Sequence, residues 1–442
     1  MAGGEEPWVN IENSGYVVWL RVRGAKSPPA HEVNRKMLNR VPSRNKITTA
    51  TEGAPQGASG RQGLRVCFVS HSANLQGAER SLLELVEALR TLGVEAYVVL
   101  PSKGPFVDAL RDRKVPYAII PFMLWMGKPS TPWKTALRIT SHPISILIVG
   151  LQLKRWHCDL VYTNTLSVCV GAFAARLVAL PHVWQIHEFQ YQDHGMAFYL
   201  GERVSLRLVD RLSAACLAVS NAVAQKYAPY ISPPKLKMIY QSVCVPEDPS
   251  PAHDSSPPEG YHGIRCVIVG SLHRGKGQED AIQAIPELAR LGIEAELWVV
   301  GDGDARYRKY LRDLARANGL DNTITFMGYV DNPAALIKSA EVLLVCSRSE
   351  AFSRVAIEAM LLGKPVIGTR SGGTAELIHD GFNGLSYPAG DFRALAEKIK
   401  YVHDYPANAR QMGKNGQAWA AERFGQDRYG VEILSVFRQL TR

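Results

Sequence analysis

At 442 residues, 46% hydrophobic and 21% charged, the chain falls in the range of a globular protein with two ordinary domains plus extensions. Seven scattered cysteines, none at C-x2-C spacing, exclude a disulfide framework and a zinc site; Cys67, Cys266 and Cys346 lie in apolar runs that read as core strands in a reducing compartment. The net charge of +10 suits an anionic lipid surface or a phosphorylated substrate as well as a merely solvated face, while no helix-turn-helix, zinc or aromatic RNA-binding signature points to nucleic acid.

Residues 1–62 carry nine Lys/Arg against five Glu, show no sustained hydrophobic period, and read as a mobile basic extension. From Leu64 the pattern changes. Leu64–Ser70 is an apolar strand, a polar loop runs through Gly77, and Glu79–Thr91 has apolar residues at helical spacing, closed by Gly93. Strands follow at Glu95–Leu100, Tyr117–Ile120, Leu160–Thr163, Val183–Ile186 and Ala215–Val219, with helical stretches between most of them, so 63–245 reads as one parallel, doubly wound unit. Within it, residues 143–153 (PISILIVGLQL) lie between Arg138 and Lys154-Arg155-Trp156. They read either as a buried core helix or as a helix lying in a bilayer interface. No apolar run reaches the roughly 18–20 residues that a spanning helix needs.

Residues 246–261, rich in Pro, Ser and acidic side chains, can continue neither a helix nor a central strand and read as a linker. The alternation then restarts over 262–427, with strands at Arg265–Val269, Glu296–Val300, Ile324–Met327 and Val342–Cys346 and helices between them. The fold class expected is α/β, with two doubly wound units facing each other across a cleft. Ligands in such sheets bind outside the carboxyl ends of the strands.

The segment richest in chemistry is Ser347 to Gly390. Strand Val342–Cys346 ends in the loop Ser347 to Phe352, and a helix starts near Ser353, whose residue type suits an N-cap, with Gly363 and Pro365 at its exit. The free N–H groups and positive dipole end of that helix suit a diphosphate. Glu350 precedes the helix and can reach a group ahead of the phosphates, while Glu358 inside it can reach a ribose behind them. Earlier, strand 265–269 opens into Gly270-Ser271-Leu272-His273-Arg274-Gly275-Lys276-Gly277-Gln278, where Arg and Lys can clamp phosphate oxygens.

With Glu350, Glu358-Ala359, Gly363-Lys364-Pro365-Val366, Gly372-Gly373-Thr374-Ala375-Glu376 and Asn383-Gly384 in this order, the second half strongly resembles the family 4 glycosyltransferases of the GT-B fold. Lys276 matches the lysine of that family's G-R-L-x-x-x-K-G pattern, and Gly301-Asp302-Gly303 its V-G-x-G turn, a fit that argues against reading Asp302 and Asp304 as a metal motif. Position 271 departs from the pattern, with Ser in place of the usual Arg, and Arg274 is the candidate to replace it. The first half resembles the family less closely. Gly77 alone remains of the usual glycine pair, His187-Glu188 fits a His that follows a strand there, and Gln241-Ser242-Val243 stands where Asn-Gly-Val is common.

The resemblance implies two facing Rossmann-like domains, the last helix (about 428–442) crossing back to the first, and a retaining, metal-independent transfer from a UDP-, GDP- or ADP-linked sugar. It assigns catalysis to Glu350, His187, Lys276 and Arg274, and the donor to Glu358, Ser353, Phe352, Arg354, Gly270, Ser271, Gly301, Gly372 and Gly373. Gly77 and Glu188 fall on the side of the acceptor, a glycan or a lipid-linked molecule. No cofactor is called for. The basic charge and the 143–153 stretch imply a cytoplasmic protein in peripheral contact with the inner face of an anionic membrane. Two rivals share the fold: a catalytically silent partner protein, which the departures at Ser271 and Gln241-Ser242 allow, and a nucleotide-sugar 2-epimerase. A nicotinamide-linked dehydrogenase lacks its fingerprint, since no G-x-G-x-x-G follows the first strand.

Overall fold

The structure, a computed structural model, describes residues 8–13, 16–21, 63–127, 132–189, 195–245 and 263–442. The chain divides into two compact units, Met1–Arg61 and Gln62–Arg442. In the first, Trp8–Asn13 (β1) and Tyr16–Arg21 (β2) pair as an antiparallel hairpin inside the stretch read as a mobile basic extension, an element the sequence reading did not name. The signal was there, because Ser14-Gly15 separates two short runs rich in β-branched and aromatic residues. The rest of 1–62 and the 246–261 linker lie outside the described residues.

The second unit begins with a seven-stranded, wholly parallel sheet. Its strands are β3 (Arg65–Ser70), β4 (Glu95–Leu100), β5 (Tyr117–Ile119), β7 (Leu160–Asn164), β8 (His182–Ile186), β10 (Ala215–Ala218) and β11 (Leu236–Met238), in the spatial order β11-β10-β8-β7-β3-β4-β5. Between β5 and β10, β6 (Met126–Gly127) and β9 (Ala197–Phe198) form a separate antiparallel pair. Strands β7, β8 and β10 are buried at every position, as expected where helices cover both faces. Those helices are α1 (Gly77–Thr91), α2 (Pro105–Asp112), α3 (Pro132–Arg155), α4 (Val170–Leu177), α5 (Glu202–Leu212) and α6 (Asn221–Tyr227). The order reverses between β3 and β7, so the crevice at the carboxyl ends of Ser70 and Asn164 is where such a sheet takes a ligand.

The stretch 143–153 is part of α3, which continues through Pro143. It is neither wholly buried nor wholly exposed. Val149 and Leu153 face the core, while Ile144, Leu147, Ile148 and Leu151 are exposed. No helix among the described residues is long and apolar enough to cross a membrane.

A second parallel sheet, of six strands, follows. Strands β12 (Ile264–Val269), β13 (Ala295–Val300), β14 (Ile324–Gly328), β15 (Val342–Val345), β16 (Val366–Thr369) and β17 (Gly384–Tyr387) lie in the order β14-β13-β12-β15-β16-β17. The reversal here falls between β12 and β15, and the loops leaving both strands carry Gly270, Ser271, Phe352 and Ser353 of the predicted donor residues. Helices α7 (Gln278–Arg290), α8 (Ala305–Ala317), α9 (Ala334–Ser339), α10 (Arg354–Leu361), α11 (Thr374–Leu377), α12 (Phe392–Asp404) and α13 (Pro406–Arg423) complete this domain. The last helix, α14 (Gln426–Leu440), buries Tyr429, Ile433 and Phe437 against the first sheet, with the Phe437 ring 6.5 Å from Phe68 and 6.0 Å from Tyr162. Gly430 lets it lie flush on α1, where an added Cβ would stand 2.8 Å from that of Ala88. A continuous buried cluster running from Trp184 and Tyr227 to Phe352 and Phe424 joins the two domains beneath the cleft.

Candidate active site

The two loops at the second switch point meet. Lys276, at the end of a short 3-10 turn after β12, places Nζ 2.6 Å from Oε2 of Glu350, in the loop after β15. Ser347 Oγ donates to the same carboxylate oxygen at 2.6 Å. The loop is braced from behind, because Arg348 forks onto Asp280 at 2.7 and 3.0 Å and Asp280 also takes the N–H of Gly390. Above Glu350 the chain turns into α10, whose first-turn N–H groups have no intrahelical partner. Glu358 sits just over one turn on. Burial raises its pKa, and the guanidinium groups of Arg354 and Arg80 oppose that rise.

Several predicted donor residues act through packing. Gly373 donates its N–H to Glu350 O at 2.6 Å, and an added Cβ would lie 2.2 Å from Ala351 O; at Gly372 it would lie 2.4 Å from Glu350 O. The glycine pair therefore fixes the backbone that carries Glu350. Gly301 likewise presses on Gly270, whose carbonyl oxygen an added Cβ would meet at 2.0 Å. Ser353 occupies the N-cap position but makes no capping bond, and its buried hydroxyl finds no partner among the described residues. Phe352 is buried in a stack with Tyr240, ring centroids 6.1 Å apart. Arg274 does not join Lys276; its guanidinium lies over Tyr310 at 5.6 Å, and Ser271 is exposed. Asp302 and Asp304 both accept backbone N–H groups of their own turn. Sequence gave the residue types here, but side-chain direction is set by neighbours far along the chain.

Across the cleft, His71, Asn164 and His187 stand at the carboxyl ends of the adjacent strands β3, β7 and β8. His187 Nε2 is 2.7 Å from Asn164 Oδ1, and Asn164 Nδ2 donates to Ala78 O in the first turn of α1 at 3.0 Å. Burial first, then the neighbouring His71 and Arg354, pushes the His187 imidazole down to about 3. Glu188 points elsewhere. Its buried carboxylate accepts the N–H of Leu166 and of His187, bracing the loops rather than an acceptor. A Cβ added at Gly77 would lie 3.8 Å from Arg354 Cδ, an ordinary contact, so the site does not require glycine there.

The domains are also tied directly, by Arg354, expected on the donor, by Glu376 of the family motif, and by Arg80 and Glu84, for which the sequence suggested no role. Arg354 donates to Glu84 Oε1 of α1 at 2.6 Å and to Ser242 O at 2.9 Å, and Arg80 reaches Asp331 at 2.9 Å. Glu376 accepts the N–H groups of Asn221 and Ala222 and the hydroxyl of Tyr240. Arg80 and Glu84 sit four apart on α1, as Arg354 and Glu358 do on α10, and that matched spacing was the available signal. Between these elements lies a cavity of about 280 Å³ lined by Leu75, Arg80, Cys244, Asp331, Asn332 and Glu358.

Two parallel, doubly wound domains facing across a cleft, with a Lys–Glu pair beneath a helix N-terminus, define the GT-B class of glycosyltransferase. Comparison with known proteins agrees: residues 75–245 match the family described as Glycosyltransferase Family 4, and residues 262–419 match Glycosyl transferases group 1. The chain belongs to the family 4 glycosyltransferases. It is 26% identical to a glycogen synthase of Mycobacterium tuberculosis over 364 residues, covering 76% of this chain and 85% of that protein. It is also 26% identical to the 2-deoxystreptamine glucosyltransferase of Streptomyces kanamyceticus over 307 residues, 62% of this chain and 75% of that one. Among solved structures, Anabaena HepE in complex with UDP-glucose superposes with a TM-score of 0.69 at 24% identity, covering 85% of this chain and all of that one. A Rickettsia africae glycosyltransferase gives 0.69 at 18% identity, over 86% and 99% of the two chains.

Proposed function

We propose that this glycosyltransferase moves a sugar, with retention of anomeric configuration and without a metal, from a nucleoside-diphosphate donor to a glycan or lipid-linked acceptor. The observation that carries the reading is the Lys276–Glu350 pair at 2.6 Å, set below the N-terminus of α10 with Glu358 one turn on. A donor diphosphate at that helix end would draw Lys276 to its oxygens and free Glu350 for the sugar hydroxyls. Glu358 would take the ribose in the cavity shared with Asp331 and Asn332. As the bond between the anomeric carbon and the phosphate oxygen breaks, its electron pair stays on the diphosphate. Lys276 and the α10 N–H groups meet that growing charge. The acceptor oxygen bonds to the same face of the sugar, and its proton passes to the departing phosphate oxygen. Among the described residues no second carboxylate is placed as a committed nucleophile, so a double displacement is not favoured. Arg274 would have to leave Tyr310 to share the phosphate.

The acceptor side is the row His71–Asn164–His187. An inner-face, peripheral membrane setting is supported by α3 and α4, which together carry five Lys/Arg, no Asp/Glu and an outward apolar stripe. UDP-sugars come first among donors, because structural neighbours were solved with UDP and UDP-glucose.

The test is thermal stabilisation by UDP-, GDP- and ADP-linked sugars of the wild type, Lys276→Ala and Glu358→Ala. A donor at a hundred times its Kd adds about 2.7 kcal/mol. One donor stabilising the wild type and neither variant supports the reading. Folded protein that ignores every donor returns the chain to the silent-partner alternative.

A further inference from the structure

We infer that Asn164 is a positioning residue for His187: it fixes which imidazole nitrogen carries the hydrogen, so that His187 meets a substrate hydroxyl as an acceptor and never as a donor. The inference rests on the reading above only in placing His187 against substrate.

The chain of constraints starts at a backbone carbonyl. Ala78 O can only accept, and Asn164 Nδ2 lies 3.0 Å from it, so the amide of Asn164 is oriented with its NH2 toward α1. The other end of that amide, Oδ1, can then only accept, and it lies 2.7 Å from His187 Nε2. Nε2 must therefore hold a hydrogen. In a neutral imidazole the second nitrogen, Nδ1, is then a bare lone pair. The ring is neutral because burial, with His71 after β3 and Arg354 at the start of α10, holds its pKa at about 3. Glu188 follows His187 in the chain, and its carboxylate is engaged by the backbone N–H of His187 itself and by that of Leu166. Glu79 faces His71, at 3.2 Å. Asn164 is itself almost wholly buried, at 1% exposure, and stands at the end of β7 beside the reversal point of the sheet. It is thus held rigidly where a ligand is expected. The consequence for specificity is that a free hydroxyl facing Nδ1 is accepted, while its O-methyl or keto counterpart leaves two acceptors facing each other.

The experiment is nitrogen NMR of full-chain protein labelled at histidine, with the His187 signals assigned by their loss in His187→Gln. In the wild type Nε2 should show the shift of a protonated nitrogen and Nδ1 that of a bare one. Asn164→Ala should lose this bias and populate the other tautomer. Asn164→Asp should restore the Nε2–H form and raise the pH at which the ring titrates, because a carboxylate now faces it. Transfer, measured as kcat/KM, should fall about tenfold or more in Asn164→Ala, the size of one hydrogen bond set the wrong way. It should recover in part in Asn164→Asp. An unchanged tautomer in Asn164→Ala overturns the inference. A changed tautomer with unchanged transfer leaves Asn164 its role and removes His187 from the substrate.

Discussion

Glu79 shows what burial does to a single side chain. At 2% exposure, its carboxyl is raised by desolvation to about 7, although the Gln76 N–H donates to it. A carboxyl raised in the fold favours the folded state most fully below its unfolded value near 4.5, and that contribution is lost as pH climbs through 7. The difference between the two limits is about 3 kcal/mol. Glu79→Gln keeps an oxygen for Gln76 and removes the proton. Denaturation at pH 5 and pH 8 should therefore show the wild type losing stability relative to the variant by about that amount, and a constant gap between them would refute the assignment. Glu79 was visible in the sequence only as a helical residue. Lys276, Glu350 and Glu358 stood out because each lies in a short contiguous pattern whose neighbours are glycines the backbone requires. Asn164 and His71 did not, since what defines them is adjacency of β3, β7 and β8, which no local spacing encodes. Phe352, Arg274 and Glu188 were recognised by position, but their side chains turn into Tyr240, Tyr310 and the Leu166 loop.

Among the elements, α1 and α10 carry the link between the domains. Each presents an arginine and a glutamate one turn apart, and Arg354 crosses to Glu84 with both side chains 13% exposed. Breaking so buried a pair strands a charge and costs about 3 kcal/mol or more. Removing both partners strands none. Arg354→Ala and Glu84→Ala should each destabilise strongly, and the double variant by less than their sum, with a coupling of at least about 1 kcal/mol. Additivity within about 0.5 kcal/mol would show that the contact contributes nothing specific. Donor affinity measured on the same set should fall in Arg354→Ala, because Arg354 also opposes the burial-raised pKa of Glu358, whereas Glu84 adds to that rise. The strand–helix alternation that builds both domains was legible from hydrophobic period alone, since buried parallel strands read as short apolar runs. The hairpin of β1 and β2 carried its signal in the Ser14-Gly15 break between two apolar-rich runs, but two six-residue strands set in a basic extension give little period beside it.

For the whole molecule, the distribution of charge argues where it works. The chain carries 51 Lys/Arg against 41 Asp/Glu, yet α3 and α4 together hold five basic residues and no acidic one. Outward from this pair stand Ile144, Leu147, Ile148 and Leu151 at helical spacing, 45–68% exposed, with Leu177 against Gly150. Lys154, Arg155 and Arg176 rim the stripe. An apolar stripe on two helices that carry cations and no acidic residue is complementary to an anionic bilayer, where the aliphatic groups enter the headgroup boundary and the cations meet phosphate. A protein partner would be equally served by mixed charge. Full-chain protein should float with vesicles containing anionic lipid, bind neutral vesicles less, and detach as salt rises. Ile148→Glu with Leu151→Glu alters exposed positions only, so the fold should persist while partitioning drops about tenfold or more. Protein that stays in the buffer with every vesicle overturns this placement, whether sedimentation then finds a monomer or a dimer closed over the same face. Protein that binds but is indifferent to the Glu pair overturns the face and assigns the attraction to the basic residues elsewhere in the chain.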